Sequence, residues 1–212
     1  MALANGLRFI WLDAHIGIMG QYKQIKEQVQ SNLRPVGAMP PNNINELICY
    51  FEENVAPIEF VSKSDDALAL IQNQTDKRIK FISSGTLAQS LIPQIIAQYT
   101  YVDYFYIFCG YVRGLRRWTL EREYDECMQI LDHEKDLLLH VVRDASNDII
   151  KLGKSYMDLR QGEHARKCFV TAQTLEMLAN QADPDRAPLM INLNLLNGSN
   201  GLIAQARNLP CR

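Results

Sequence analysis

The sequence predicts an α/β fold, in which a five-stranded parallel sheet carries helices on both faces and is followed by a C-terminal helical hairpin. Two observations support this prediction. Short apolar runs alternate with helix-like segments up to about residue 132, and apolar residues then recur three and four positions apart. Alternating strands and helices are typical of parallel sheets, because two parallel strands need a crossover connection that is usually a helix.

Five short apolar runs are the predicted strands. They are Leu7–Asp13, Ile58–Val61, Ile79–Ser83, Tyr104–Cys109 and Met128–Leu131. The fourth run is aromatic and apolar throughout, as expected for a strand that is covered on both faces. Five strand–helix units favour the flavodoxin-like strand order 2-1-3-4-5, in which ligands bind beyond the carboxyl ends of strands one and three.

Helices are predicted between these strands. Asn43 followed by Glu46 is typical of a helix start, and the helix should run to about Glu53. The others are expected at Gln21–Leu33, before a loop set by Pro35, Pro40 and Pro41, at Ser64–Gln74, from Gly85 to Tyr99, and around Trp118. Pro93 lies inside the helix that starts at Gly85 and predicts a kink there.

The apolar pattern changes after the fifth strand. One long helix is predicted over Glu134–Leu159, Gly162 should end it, and a second helix should continue to about Asn180. Beyond Gln181 the chain is polar and turn-rich, so little regular structure is expected. We therefore predict an α/β domain over residues 1–132, a helical hairpin over 133–180 and an irregular tail over 181–212.

Composition and charge limit the classes of function. Of 212 residues, 47% are hydrophobic and 22% are charged, and the net charge is −2, which argues against a nucleic-acid-binding protein. No apolar run is long enough to span a membrane, and the N-terminus lacks the pattern of a secretory signal. Five scattered cysteines without a C-x-x-C pair indicate reduced thiols in the cytoplasm and neither a metal site nor a disulfide framework.

The fold rule places a candidate ligand site at the carboxyl edge of the sheet. Asp13 follows the first strand, and Ser83, Ser84, Gly85 and Thr86 connect the third strand to its helix. Free backbone N–H groups at that helix start could hold an anion, such as a phosphate. Arg113 and Arg117, with Arg116 between them, follow the fourth strand and could close over this anion. Ordinary helix capping and solvated arginines are the simpler interpretation of the same residues.

Several segments resemble a receiver-like α/β module of animal multidomain proteins. They are Trp11–Asp13, Lys77–Gly85, Pro93, Tyr106–Cys109, Trp118, Asp136–Leu138 and Arg143–Asp144. In that family the module stands beside tetratricopeptide repeats or an arginine mono-ADP-ribosyltransferase domain. The resemblance spans Leu7 to Leu178 and implies a flavodoxin-like fold and a regulatory or interaction role. It carries no catalytic signature.

No complete catalytic set is found among the residues. A receiver domain would need an acidic cluster after strand one, an acceptor Asp after strand three and a Lys after strand five. These positions hold Asp13 alone, Ser83–Ser84 and Asp132, so phosphoryl transfer is not predicted. His15 is only two residues from Asp13, and no G-x-S-x-G turn is present, which argues against a Ser-His-Asp triad. We predict no cofactor.

Three hypotheses for function follow. The first is a non-catalytic signalling or scaffold module that binds a protein partner or forms a homo-oligomer. Its predicted partner surface is the apolar seam of the long helix, namely Leu138, Val142, Ile149 and Tyr156. The second is a small-ligand sensor for phosphate or nucleotides, or an NAD-processing enzyme, that uses the Ser83–Thr86 turn. The third is a subunit of a large assembly, in which the tail becomes ordered only on its neighbours.

Overall fold

The structure of the chain is a computed structural model that describes residues 6–14 and 43–209, apart from the side chains of residues 43–45 and 134. The predicted helix Gln21–Leu33, the proline loop that follows it and His15 lie outside the described residues. The elements are numbered here in the order in which the described chain forms them.

A five-stranded, all-parallel sheet is the centre of the fold. Its strands are β1 Leu7–Leu12, β2 Ile58–Val61, β3 Arg78–Ser84, β4 Val102–Phe108 and β5 Met128–Leu131. Their order across the sheet is β2-β1-β3-β4-β5, and each neighbouring pair is parallel. The predicted flavodoxin-like strand order is therefore confirmed, with β2 and β5 as the edge strands.

The described residues also form eight helices. They are α1 Asn43–Asn54, α2 Ser64–Gln72, α3 Gly85–Gln98, α4 Val112–Glu121, α5 Glu134–Asp158, α6 Gly162–Ala182, α7 Ile191–Leu196 and α8 Leu202–Arg207. Pro93 lies inside α3, which is continuous through it. Among the described helices, none combines the length and the apolar character needed to cross a membrane.

The chain divides into two compact units. Of the described residues, the first unit contains 6–14 and 55–138, and the second contains 43–54 and 139–209. This division differs from the predicted boundaries in two ways. The change of unit falls inside α5 instead of before it, and α1 belongs with the C-terminal helices although its sequence lies between β1 and β2.

In the first unit, alternate strand residues build the core on one face of the sheet. Ile10, Phe81 and Phe105 are neighbours in register on β1, β3 and β4, and all three are almost completely buried. Helices α2, α3 and α4 contribute the side chains that pack with them, including Ala67, Ile71, Ile92 and Leu115. The residues of the opposite face are buried as well, among them Phe9, Trp11, Ile82 and Tyr106. Burial on both faces explains why the strands read as continuous apolar runs.

In the second unit, α5 and α6 form the predicted antiparallel hairpin. The Ser146 hydroxyl donates to the Ala172 carbonyl oxygen at 3.5 Å, and the Phe169 ring covers Gly153 about two turns further along α5. Helix α1 packs along α6 and buries Leu47, Ile48 and Phe51. Gly162 opens α6 where the backbone of α8 comes close, since a Cβ atom there would lie 2.6 Å from the Ala206 carbonyl oxygen.

The prediction of an irregular tail beyond Gln181 is wrong for α7 and α8. Both helices pack on α6, and they bury Leu193, Leu196, Leu202 and Ala206. Polar side chains of α6 add specific bonds, because Asn192 donates to the buried carboxylate of Glu176 at 2.6 Å. At least one polar residue of this segment, Asn192, thus bonds to α6. A polar composition is therefore not a sign that this segment lacks structure.

Candidate functional site

The carboxyl edge of the sheet brings together the residues that follow β1, β3 and β4. Leu12 is in register with Ser83, and Ser84 with Phe108, so Asp13, Ser84 and Cys109 emerge at the same edge. Asp13 and Ser83 are almost completely buried, with exposed fractions of 1% and 0%. The Asp13 amide donates to the Val61 carbonyl oxygen at 3.0 Å, which continues the ladder between β1 and β2. These side chains thus belong to the packed end of the sheet.

The Ser83–Thr86 turn is closely packed against the next strand and helix. Ser84 precedes α3 in an extended conformation, and its side chain makes no capping hydrogen bond to that helix. A Cβ atom on Gly85 would lie 2.7 Å from Leu115 Cδ1 and 2.8 Å from Cys109 Cβ. Glycine is required here because α4 and the end of β4 lie directly on the turn, with no room for a side chain. Thr86 alone of this turn is exposed.

The structure does not bring Arg113 and Arg117 to this turn. Leu115, midway between them, is the residue of α4 that touches Gly85. Successive residues of an α-helix are turned by about 100°, so each arginine is turned about 160° away from Leu115. Both arginines are exposed, as expected for the outward side of α4. They therefore do not complete the predicted anion site.

The thiol at this edge is not activated. Burial raises the pKa of Cys109 above its usual value, and the negative charge of Asp132 acts in the same direction. A thiol with a raised pKa is protonated at neutral pH, and the protonated form is a poor nucleophile. Within the described part of the chain, no group of three or more His, Cys, Asp and Glu side chains is arranged to hold a metal ion.

A recess of about 220 Å³ lies between α4 and the open edge of β5. Its lining consists of Arg116, Thr119, Leu120, Asp125, Met128, Gln129 and Ile130. Leu120 is 63% exposed although it is a large apolar residue. It lies about 140° around the helix from Leu115, so it falls on the polar side of α4 instead of the core side.

Charges surround Leu120 in a defined order. Arg113, Arg116 and Arg117 precede it on the outward side of α4, and all three are exposed. Four exposed carboxylates follow it in the chain, at Glu121, Glu123, Asp125 and Glu126, with one exposed arginine, Arg122, among them. We call Arg113, Arg116, Arg117, Leu120, Asp125 and the edge of β5 the α4–β5 surface. Sequence reasoning named its three arginines but missed Leu120. The available signal was an apolar residue on the polar face of a helix.

The edge of β5 offers unpaired backbone groups to this surface. The Phe105 amide donates to the Cys127 carbonyl oxygen and the Cys109 amide to that of Leu131, both at 2.9 Å. Because alternate residues of a strand bond to the same neighbour, Met128 and Ile130 direct their N–H and C=O groups away from β4. Within the described residues no strand pairs with this edge.

The predicted partner surface on the long helix is not available to a partner. Leu138, Val142 and Ile149 have exposed fractions of 6%, 0% and 4%, so the chain itself already covers them. Tyr156 is half-buried, and its ring lies 5.4 Å from the ring of His164 at the start of α6. Three of the four residues of the predicted partner surface are therefore buried, and the fourth is half-buried.

Comparison of the chain with protein-family models, with curated proteins and with solved structures finds no match.

Proposed function

We propose that the chain is a non-catalytic protein-interaction module with a receiver-like fold, and that it binds its partner through the α4–β5 surface. The observation that carries this proposal is Leu120, a 63% exposed leucine beside a recess and an open strand edge. Covering such a side chain removes apolar area from water, which contributes about 1–2 kcal/mol to association. A signalling or scaffold role, as implied by the resemblance to receiver-like modules, fits this mode of action.

The carboxyl edge of the sheet supports the same proposal, because the usual ligand position of this fold is filled by side chains in this chain. In flavodoxin-like folds a ligand would bind there. In this chain Gly85 is covered by Leu115 and Cys109, and the arginines that could neutralise an anion lie on the far side of α4. A ligand site at the carboxyl edge would give no role to the exposed arginines and Leu120. A binding surface formed by α4 and β5 does give them one.

The two edges of the sheet differ in a way that favours β5 as the binding edge. Proteins protect free strand edges with charged residues or proline, since an unprotected edge can pair with another chain. Pro57 precedes β2, and Glu59 lies within β2, where its carboxylate accepts a hydrogen bond from Gln74 at 3.2 Å. The four residues of β5, Met128–Leu131, contain neither a charge nor a proline.

Affinity capture with the full chain tests this proposal. The wild-type chain and a Leu120→Glu variant would be immobilised, and the proteins bound to each would be identified by mass spectrometry. We expect proteins that bind the wild type to be lost from Leu120→Glu, because a carboxylate cannot be buried in an apolar contact without a large cost.

Leu159→Glu is the matched control, because Leu159 is 67% exposed and lies outside the α4–β5 surface. It should bind the same proteins as the wild type. The proposal fails if Leu120→Glu and Leu159→Glu bind the same set, or if the wild type neither captures a protein above background nor associates with itself.

A further inference from the structure

We propose that the partner of the α4–β5 surface is a second copy of this chain, docked about a two-fold axis that passes close to Leu120. This inference rests on the proposed function and names the partner. A two-fold interface uses the same patch on both copies, so the patch must be complementary to itself.

The shape of the surface meets this requirement. Leu120 protrudes, with 63% of its area exposed, and the recess of about 220 Å³ lies directly beside it. A protruding apolar side chain and a recess on one patch allow each copy to place its leucine against the recess of the other. Met128 and Ile130 belong to the lining of the recess, so the leucine would contact apolar groups there.

The charges meet the requirement as well. Arg116 and Asp125 line the same recess, so a two-fold axis between them pairs the arginine of one copy with the aspartate of the other, twice over. Both residues are exposed and free to form these contacts. Each pair would be partly removed from solvent by the leucine contact, which strengthens its attraction relative to an ordinary surface ion pair.

The order of charges along the chain favours a second copy over a uniformly acidic partner. A two-fold axis perpendicular to α4 makes the two α4 helices antiparallel, so arginines that precede Leu120 face the carboxylates that follow it in the other copy. A uniformly acidic partner would satisfy Arg113, Arg116 and Arg117 but would meet Glu121, Glu123 and Asp125 with like charge. A second copy carries both signs in the required reverse order.

Sedimentation analysis of the full chain tests the proposal. The contact is centred on one leucine of each copy and on two exposed ion pairs, so we expect a weak dimer with a dissociation constant in the micromolar range or above. The mean mass should rise from monomer towards dimer between about 10 µM and about 1 mM protein. The association should also weaken with added salt, because the arginine–carboxylate pairs lie near the solvent.

A charge exchange makes the test specific. Arg116→Glu and Asp125→Arg should each raise the dissociation constant at least about ten-fold, because each places two like-charged pairs in the interface. Mixing the two variants should restore association, since a dimer of one variant with the other contains two oppositely charged pairs. Leu120→Glu should be monomeric, and Lys154→Glu, an exposed charge reversal in α5, should behave as the wild type. Thermal unfolding of each variant checks that the fold is unchanged.

The inference is overturned if the wild type remains monomeric at all these concentrations. It is equally overturned if self-association persists in Leu120→Glu, or if the mixed charge variants do not associate more strongly than either alone. None of these results by itself contradicts the proposed function, which is tested separately by affinity capture. A chain that stays monomeric but loses its captured proteins through Leu120→Glu still acts through the α4–β5 surface, with a foreign protein as its partner.

Discussion

Two glycines inside helices face aromatic rings, and the freedom of each ring decides what an added methyl group does. A Cβ atom on Gly153 of α5 would lie 2.4 Å from the ring of Phe169, which is completely buried. A Cβ atom on Gly114 of α4 would lie 2.5 Å from the ring of Tyr111, which is 74% exposed. The first ring is fixed by its neighbours, whereas the second can turn into solvent.

We predict opposite effects of the same substitution at these two glycines. Alanine favours a helix over glycine by about 1 kcal/mol, so Gly114→Ala should raise the free energy of unfolding by up to that amount. Gly153→Ala should lower it by about 1–3 kcal/mol, because the methyl group overpacks the contact with Phe169 and the helix gain is smaller than this cost. Urea unfolding of the three proteins, followed by circular dichroism, gives the two differences.

Gly153→Ala at or above the stability of the wild type would contradict the close contact between Gly153 of α5 and Phe169 of α6. A destabilised Gly114→Ala would show that Tyr111 cannot move aside. Gly153→Ala combined with Phe169→Leu is a useful companion, because the smaller side chain should relieve part of the overpacking and make the effects of the two substitutions non-additive.

At the scale of elements, side-chain amides attach the segment before α7 to α6. The side chain of Asn180 bonds the backbone of Leu189 twice, since its Nδ2 donates to the Leu189 carbonyl oxygen and its Oδ1 accepts from the Leu189 amide, both at 3.1 Å. The loop between these residues contains Arg186, whose side chain is 61% exposed. These two bonds join Asn180 and Leu189, which are the two ends of the loop, and both bonds form within the single chain.

We predict that Asn180→Ala loosens this loop. Loss of the two bonds to Leu189, and of the 3.5 Å bond that Asn180 Oδ1 accepts from Arg143, should cost about 1–2 kcal/mol locally, which corresponds to roughly a ten-fold higher population of the open loop. Trypsin should then cut after Arg186 about ten times faster, as measured by mass spectrometry of the fragments. Met177→Ala is the control on the same helix, because Met177 is 47% exposed and has no side-chain hydrogen bond to lose. Equal cutting rates in Asn180→Ala and the wild type would contradict this account.

Sequence reasoning succeeded for elements that are long enough, or apolar enough, to show a clear pattern of buried residues. It gave β2 and β5 with the bounds they have in the structure and placed the ends of α5 within a residue. It failed for α7 and α8, which have six residues each and too few turns for a periodic signal. Their stability comes from contacts with α6, such as the bond between Asn192 and Glu176, that no local pattern reveals.

The candidate site was predictable only in part for a similar reason. Alternating strands and helices predicted parallel strands, whose carboxyl ends lie at one edge of the sheet, and Asp13, Ser83 and Ser84 were therefore expected there. It could not show that Leu115 covers Gly85, since that contact joins residues thirty positions apart. The contact between Leu115 and Gly85 also fixes the side of α4 on which Arg113 and Arg117 lie, so that side could not be predicted from the sequence either.

At the scale of the whole molecule, the chain passes from one compact unit to the other more than once. Helix α1 follows β1 in sequence, yet it packs along α6, more than a hundred residues later. The apolar face of α1 is formed by Leu47, Ile48 and Phe51, which are almost completely buried. Such a face predicts that a helix is buried, but it does not identify the element that covers it.

This arrangement predicts that the C-terminal helices need α1 in order to fold. Each of its three buried side chains contributes about 1.5–3 kcal/mol, and their sum is comparable with the total stability of a small domain. When a fragment of residues 134–212 is heated, its helical circular dichroism signal should therefore fall gradually, without a cooperative transition. Joining residues 43–54 to the start of this fragment by a flexible Gly/Ser linker should restore the transition.

The joined fragment with Leu47→Asp and Phe51→Asp is the matched control, because it keeps the length and the linker but cannot bury α1. It should behave as the fragment without α1. If residues 134–212 alone unfold cooperatively at the same temperature as the joined fragment, α1 contributes nothing to this unit. If the joined fragment and its double-aspartate control unfold alike, the contact between α1 and α6 does not stabilise the unit, and the division of the chain described here would be incorrect.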